Sequence, residues 1–220
     1  MSRRLIAAAL PLLLIAGTAA ADEAVHDWSG PYVGAYAGAG LGHLDVEFDG
    51  IHPFDTDMNG FNGGGLAGWN VQFGAVVVGL EGDVGLSSQQ GEIEGDVVLS
   101  PPDVPGTYYY TDRFYKNWEA HIRARAGWAF DDLTVFAAGG LAIAGVEFGY
   151  QSIYDGSYDW DSKTLVGWTA GAGLDYAATD HISVRFEYLY DDYGSAWYFD
   201  HRDSADLTTH SLRFAFAYGF

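Results

Sequence analysis

The chain has 220 residues, enough for one domain, and carries a formal charge of −20, with Lys+Arg 10 against Asp+Glu 30. That balance excludes a nucleic-acid binder, which needs a basic surface. The absence of cysteine excludes a disulfide framework and thiolate metal sites. Gly 30 and 16% aromatic residues suit tight turns, crowded walls and interfaces.

Residues 1–21 read as a secretory signal peptide. Arg3 and Arg4 precede an uncharged run that ends at Ala19-Ala20-Ala21, so cleavage is expected before Asp22. Its loss removes two arginines and leaves a still more acidic chain. Residues 22–30 form a short leader. The remainder, 31–220, holds no apolar run of about 18 residues, so a helical span is not expected.

From there the dominant period is two. A first strand covers 31–48, blurred by Gly34, Gly38, Gly40 and Gly42, and 49–59 reads as a polar loop. The second strand, 60–71, is again Gly-rich, and Gln72-Phe73-Gly74 is a tight turn. The third, 75–86, sets Val76, Val78, Leu80, Val84 and Leu86 against Glu81 and Asp83. Residues 87–115 form the longest predicted loop, with Pro101, Pro102, Pro105 and Tyr108-Tyr109-Tyr110.

The fourth strand, 117–130, is the clearest. Trp118, Ala120, Ile122, Ala124, Ala126, Trp128 and Phe130 share one face, and Asn117, Glu119, His121, Arg123 and Arg125 the other. It exceeds the about 9–11 residues a strand needs to cross hydrocarbon. After a turn at Asp131-Asp132, strand five covers 133–148 and an acidic aromatic loop 149–162. Strand six, 163–178, turns at Thr179-Asp180 into strand seven, 181–191, where Arg185 and Glu187 oppose Val184, Phe186 and Tyr188. A last loop, 193–206, precedes strand eight, 207–220, with Arg213 opposite Leu212, Phe214, Phe216, Tyr218 and Phe220.

Eight strands with connections alternating long and short predict an all-β, eight-stranded antiparallel up-and-down transmembrane β-barrel. The long connections are expected outside the cell and both termini in the periplasm. A soluble barrel with the same alternation would turn its apolar face inward. The aromatic face, the strand lengths and the mixed charges favour lipid outside. Glu81, Asp83, Glu119, Arg123, Arg125, Arg185, Glu187 and Arg213 are expected to pair within the lumen, because unpaired buried charges are costly. Eight strands enclose a side-chain-filled interior, so an open pore is not expected; a narrow porin-like passage is the alternative.

Catalytic and metal chemistry find little support. Asp55-Thr56-Asp57-Met58-Asn59-Gly60 copies half a calcium loop, but Leu66 stands where the twelfth-position Glu belongs. His43 and His52 have no ligand spacing. Gly38-x-Gly40-x-Gly42 lies in a strand and has no helix to receive phosphates. His210 and Ser211 are strand neighbours on opposite faces and cannot form a dyad, and no G-x-S-x-G elbow occurs. A lipopolysaccharide-modifying barrel enzyme is therefore the weaker alternative. No cofactor, metal or catalytic residue is expected.

Trp28-Ser-Gly-Pro-Tyr-Val-Gly, Gly79-Leu-Glu-Gly-Asp, Arg123-Ala-Arg-Ala-Gly-Trp, Glu187-Tyr-Leu-Tyr-Asp-Asp-Tyr-Gly and the final Tyr218-Gly-Phe220 together resemble small outer-membrane β-barrel proteins of α-proteobacteria. The 25 and 31 kDa outer-membrane antigens of Brucella typify that group, within the OmpA-like barrel superfamily. The resemblance covers nearly all of the chain after the signal, apart from the long loops. It implies a Gram-negative cell-envelope protein seated in the outer membrane among lipids and lipopolysaccharide. No peptidoglycan-binding domain is expected after the barrel, so cell-wall tethering is not carried over. A terminal strand ending in Phe220 resembles the signal read by the barrel-assembly machinery. The loops are expected to meet host or envelope partners.

Overall fold

The computed structural model describes residues 26–48, 51–99, 106–152, 156–198 and 203–220. The signal segment, its cleavage site, Pro101, Pro102 and Pro105 lie outside the described residues, as do the side chains of Tyr108, Tyr109 and Tyr110. The eight strands are β1 (Gly30–Phe48), β2 (Ile51–Phe73), β3 (Val76–Leu99), β4 (Gly106–Phe130), β5 (Leu133–Gln151), β6 (Tyr158–Ala177), β7 (Ile182–Tyr198) and β8 (Asp203–Gly219). Each pairs antiparallel with its neighbours in sequence, and β8 pairs with β1, so the ring is closed.

The lower end carries the short turns. Gly74 takes the left-handed conformation (φ 61) between β2 and β3, and Asp131 (φ 48) does so between β4 and β5, a conformation aspartate tolerates better than most residues. The leader crosses this mouth. The His26 amide donates to the Asp131 carbonyl (3.1 Å), and the Trp28 amide to Gln72 Oε1 (2.7 Å).

Around the lower wall the alternation has one sense, apolar outward and polar inward. Leu86 is 75% exposed, and Phe61, Leu80, Val84, Ile122, Val166, Phe186 and Phe216 also lie outside. So broad an apolar surface on a closed ring is a lipid-facing belt. Aromatics mark both edges: Phe73, Trp128, Phe130, Tyr176, Tyr218 and Phe220 below, and Phe61, Trp168 and Tyr188 above. The span from His210 to Phe220 matches the about 9–11 residues of a membrane-crossing strand.

Above the belt the strands continue where loops are predicted. The 49–59, 87–115, 149–162 and 193–206 stretches are mostly long antiparallel hairpins, paired as far as Phe48↔Ile51, Leu99↔Gly106, Gln151↔Tyr158 and Tyr198↔Asp203. There the sense of the alternation reverses. Leu44, Met58, Ile93, Phe114, Val146, Phe148, Leu165 and Leu207 point inward and form one apolar cluster, while Asp45, Asp57, Glu92 and Asn117 face outward. With water instead of lipid outside, burying apolar area inside is the favourable arrangement. The calcium-loop look-alike is part of strand β2, not a loop, with Asp55, Asp57 and Asn59 on its outer face.

The position of Asn117 also departs from the sequence reading. It is exposed rather than inward, because a bulge at Lys116/Trp118 inserts one residue into β4 and shifts the phase. Lys116 and Glu119, three residues apart, consequently both enter the lumen.

This upper part is a head made of two sheets. The β2–β3 ladder ends at Asn59↔Gln90 and the β6–β7 ladder at Trp168↔Asp192, although all four strands run on. Above those points β7-β8-β1-β2 and β3-β4-β5-β6 face each other across the apolar cluster. Leu44, Met58, Tyr193 and Leu207 come from one sheet, and Ile93, Phe114, Phe148 and Leu165 from the other.

Candidate functional site: the charged lumen

Within the belt the inward positions of β3, β4, β6, β7 and β8 place titratable side chains at matching heights. The ladders set Glu81 opposite Arg123, Asp83 opposite His121, Asp175 opposite Arg185 and Glu187 opposite Arg213. All eight of the charged residues singled out in the sequence are buried here, none more than 6% exposed.

They form one connected network. At the bottom, Arg185 donates through Nη1 to Glu81 Oε2 (2.5 Å) and through Nε to Asp175 Oδ1 (2.7 Å). Arg125 donates to Asp175 and to the Tyr32 hydroxyl (3.2 Å), which itself donates to Glu81 Oε2 (2.6 Å). The Arg125 and Arg185 guanidiniums both lie over the Phe136 ring, at 4.1 and 5.0 Å from its centroid.

One level up, Arg123 bridges three carboxylates: Glu81 Oε1 (2.6 Å), Asp83 Oδ2 (3.2 Å) and Glu187 Oε1 (2.7 Å). Arg213 joins Glu119 (2.6 Å) to Asp83 (3.3 Å) and covers the Tyr36 ring at 4.5 Å. At the top, Lys116 Nζ meets Glu119 Oε2 at 2.7 Å. His121 stands between Asp83 (Nδ1, 2.8 Å) and Asp191 (Nε2, 3.3 Å). Asn62 donates to Glu119 (3.0 Å), and Thr209 to Asp191 (3.0 Å). In this network six carboxylates (Glu81, Asp83, Glu119, Asp175, Glu187 and Asp191) face five permanent cations and His121.

Bidentate arginines and near-neutral bookkeeping are what make such burial tolerable: desolvating each ion is costly, and only close pairing offsets it. The layer also fills the lumen. Below it, the lower mouth holds a cavity of about 240 Å³ lined by His26, Trp28, Asn70, His181 and, as its floor, Arg125 and Arg185. Above it lies the apolar cluster of the head.

Lys116, His121, Asp175, Asp191, Tyr32, Tyr36, Asn62 and Thr209 belong to the network and escaped the sequence reading as site residues. Asp175 and His121 were legible as inward positions of their strands. So was Asp191, in phase with Arg185 and Glu187, but Lys116 was not, since the bulge places it in phase with the wrong face. His210 is exposed beside Tyr188, whose hydroxyl lies 2.6 Å from its Nδ1, whereas Ser211 is buried in the lumen against Asn62. The two face opposite sides of the wall. Phe220 is 70% exposed at the lower rim, edge-on to Tyr218, and its amide donates to the Pro31 carbonyl (3.1 Å).

Comparison with known proteins agrees with this geometry. The family model described as "Outer membrane protein beta-barrel domain" matches residues 7–220. The 25 kDa outer-membrane immunogenic protein of Brucella abortus is 33% identical over 174 residues, covering 79% of this chain and 69% of that protein. The 31 kDa outer-membrane immunogenic protein of Brucella melitensis is 31% identical over 217 residues, covering 91% and 87%. Among solved structures, the outer membrane protease OmpT of Escherichia coli aligns with a TM-score of 0.51 at 9% identity, over 87% of this chain and 97% of that one, a likeness of fold alone. Fold, belt and sequence relatives together make this chain a member of the outer-membrane β-barrel protein family of Gram-negative bacteria, seated among the lipids and lipopolysaccharide of that membrane.

Proposed function

We propose that the chain is a structural barrel that stabilises the outer membrane and presents its acidic head outward for interaction. Its signal peptide, residues 1–21, is removed on export. The lower mouth and both termini face the periplasm, and the barrel-assembly machinery reads the β8 strand ending in Phe220. The single observation that supports the reading is the connected charge layer. A lumen filled by mutually paired arginines and carboxylates resists solute flow and braces the strands from inside.

The test is conductance in a planar bilayer, run beside growth of a strain lacking the protein under detergent and EDTA stress. The proposal expects a silent bilayer and a sensitised strain. Steady unit conductance would replace it with a narrow porin-like channel. Lipid deacylation by the purified barrel, abolished in a His210→Ala variant, would replace it with a lipopolysaccharide-modifying enzyme.

A further inference from the structure

The two seams of the head are not equivalent. Between β2 and β3 the gap is bridged, because the Thr56 hydroxyl donates to the Glu92 carbonyl at 2.9 Å. Between β6 and β7 the strands meet closely at the root, above which no ladder joins them among the described residues. A Cβ at Gly167 would collide with the Asp192 carbonyl and Tyr193 Cα. Immediately above, Gly194 takes a left-handed conformation (φ 59), fixed by its amide donating to Asp192 Oδ1 (2.9 Å), and the register of β7 slips between Asp192 and Ser195.

The seam therefore presents two strand edges, 164–167 on β6 and 193–196 on β7, with no ladder between them among the described residues. Tyr193, at its root, is only 4% exposed, and its hydroxyl has no hydrogen-bond partner among the described residues. Strand edges of this kind are templates for an added strand. The seam begins at the upper aromatic rim of the belt, beside Trp168 and Tyr190, whose ring centroids lie 5.3 Å apart. Its inner side gives onto the apolar cluster through Leu165. Outside it, Asp192 and Asp206 give a carboxylate flank, and Lys163, the nearest cation on β6, is held by Asp161 at 3.3 Å.

We propose that the β6–β7 seam is a docking edge for an extended cationic peptide segment, which adds a strand with apolar side chains inward and basic ones outward. A hydrocarbon chain would leave the edge amides and carbonyls without partners, whereas a peptide backbone satisfies them. The carboxylate flank selects basic over acidic segments. This rests on the outward-facing head proposed above. The test uses purified protein in nanodiscs, open on both sides, so its failure leaves the orientation untouched.

The probe is an eight-residue peptide of alternating lysine and valine, with an N-methylated copy of the same sequence as control. Binding is followed by calorimetry and by amide shifts of residues 164–167 and 193–196. The proposal expects salt-sensitive binding, shifts confined to the two edges, and at least about tenfold weaker binding of the N-methylated copy, which cannot donate the hydrogen bonds of an added strand. An Asp192→Asn/Asp206→Asn variant, which keeps polar side chains at both sites, should weaken binding without altering heat-modifiable gel mobility. Equal binding of both peptides would reduce the seam to an acidic surface, and shifts elsewhere or no binding would overturn the docking edge. Displacement of the peptide by a free fatty acid would reassign the seam to hydrocarbon.

Discussion

The belt and the head are built from the same eight strands, yet they solve opposite problems. In the belt, lipid lies outside, so apolar residues face outward and the interior is left to Glu81, Asp83, Arg123 and their partners. In the head, water lies outside, and Phe114, Phe148, Leu165 and Leu207 turn inward. The backbone pattern is continuous across the change; only the solvent differs. The interior of each region is dictated by what its exterior faces, and charge fills the lumen where hydrophobicity has been spent on the outside wall.

If this contrast is right, the two interiors should fail differently. The largest effect is expected from Arg123→Leu, which leaves Glu81, Asp83 and Glu187 without their shared cation. Breaking such buried pairing costs about 3–5 kcal/mol, and the loss should be global, read as a lower temperature or urea midpoint for the gel-mobility shift of the folded barrel. An unchanged midpoint would mean that the charge layer does not brace the belt.

Phe148→Ala should cost about 3–5 kcal/mol locally, since Phe148 stacks on Phe114 at 4.4 Å and is 1% exposed. Here the expectation is proteolysis of the head with the heat-modifiable core intact. Loss of both together would erase the distinction between the two storeys. A smaller effect, about 1–2 kcal/mol, is expected for Gly194→Ala, which forces a side chain into a left-handed position at the seam. Amide hydrogen exchange should rise around the top of β7 and not in the belt.

The smallest effect lies outside both regions. Asp27 accepts a hydrogen bond from the Ser29 amide (2.9 Å), which holds its carboxyl below the ordinary aspartate range. A depressed folded value means that the contribution is present above the unfolded pKa and is lost as pH falls through the folded one. Because Asp27 is exposed, only its own titration by NMR should register it, with no movement of the barrel midpoint.

This contrast also explains what the sequence disclosed. Strand number, order and the inward charges were readable in the belt, where Ile122, Ala124 and Ala126 alternate with Arg123 and Arg125 without interruption. The hairpins of the head were read as loops because the polarity of the alternation inverts along a single strand. In β5, Val135, Ala137 and Leu141 face out while Val146 and Phe148 face in, so the combined run looks merely mixed. Lys116 was missed because it adjoins a bulge, and a one-residue insertion has no signature in the alternation on either side, whereas Asp191 keeps the inward phase of Arg185 and Glu187. The division of the head into two sheets was invisible for another reason: it depends on where ladders stop, which is a property of pairs of strands.

The closure of β8 onto β1 has a consequence in time. Tyr32 pairs with Gly219, so the ring joins positions near opposite ends of the chain, and no shorter fragment contains a closed wall. Arg213, which joins Asp83 to Glu119, is also supplied by this last strand. Until β8 is in place, the preceding strands carry an open edge together with acidic groups lacking one of their cations. Insertion strand by strand into hydrocarbon would bury both defects. Joining β8 to β1 removes both defects in a single step.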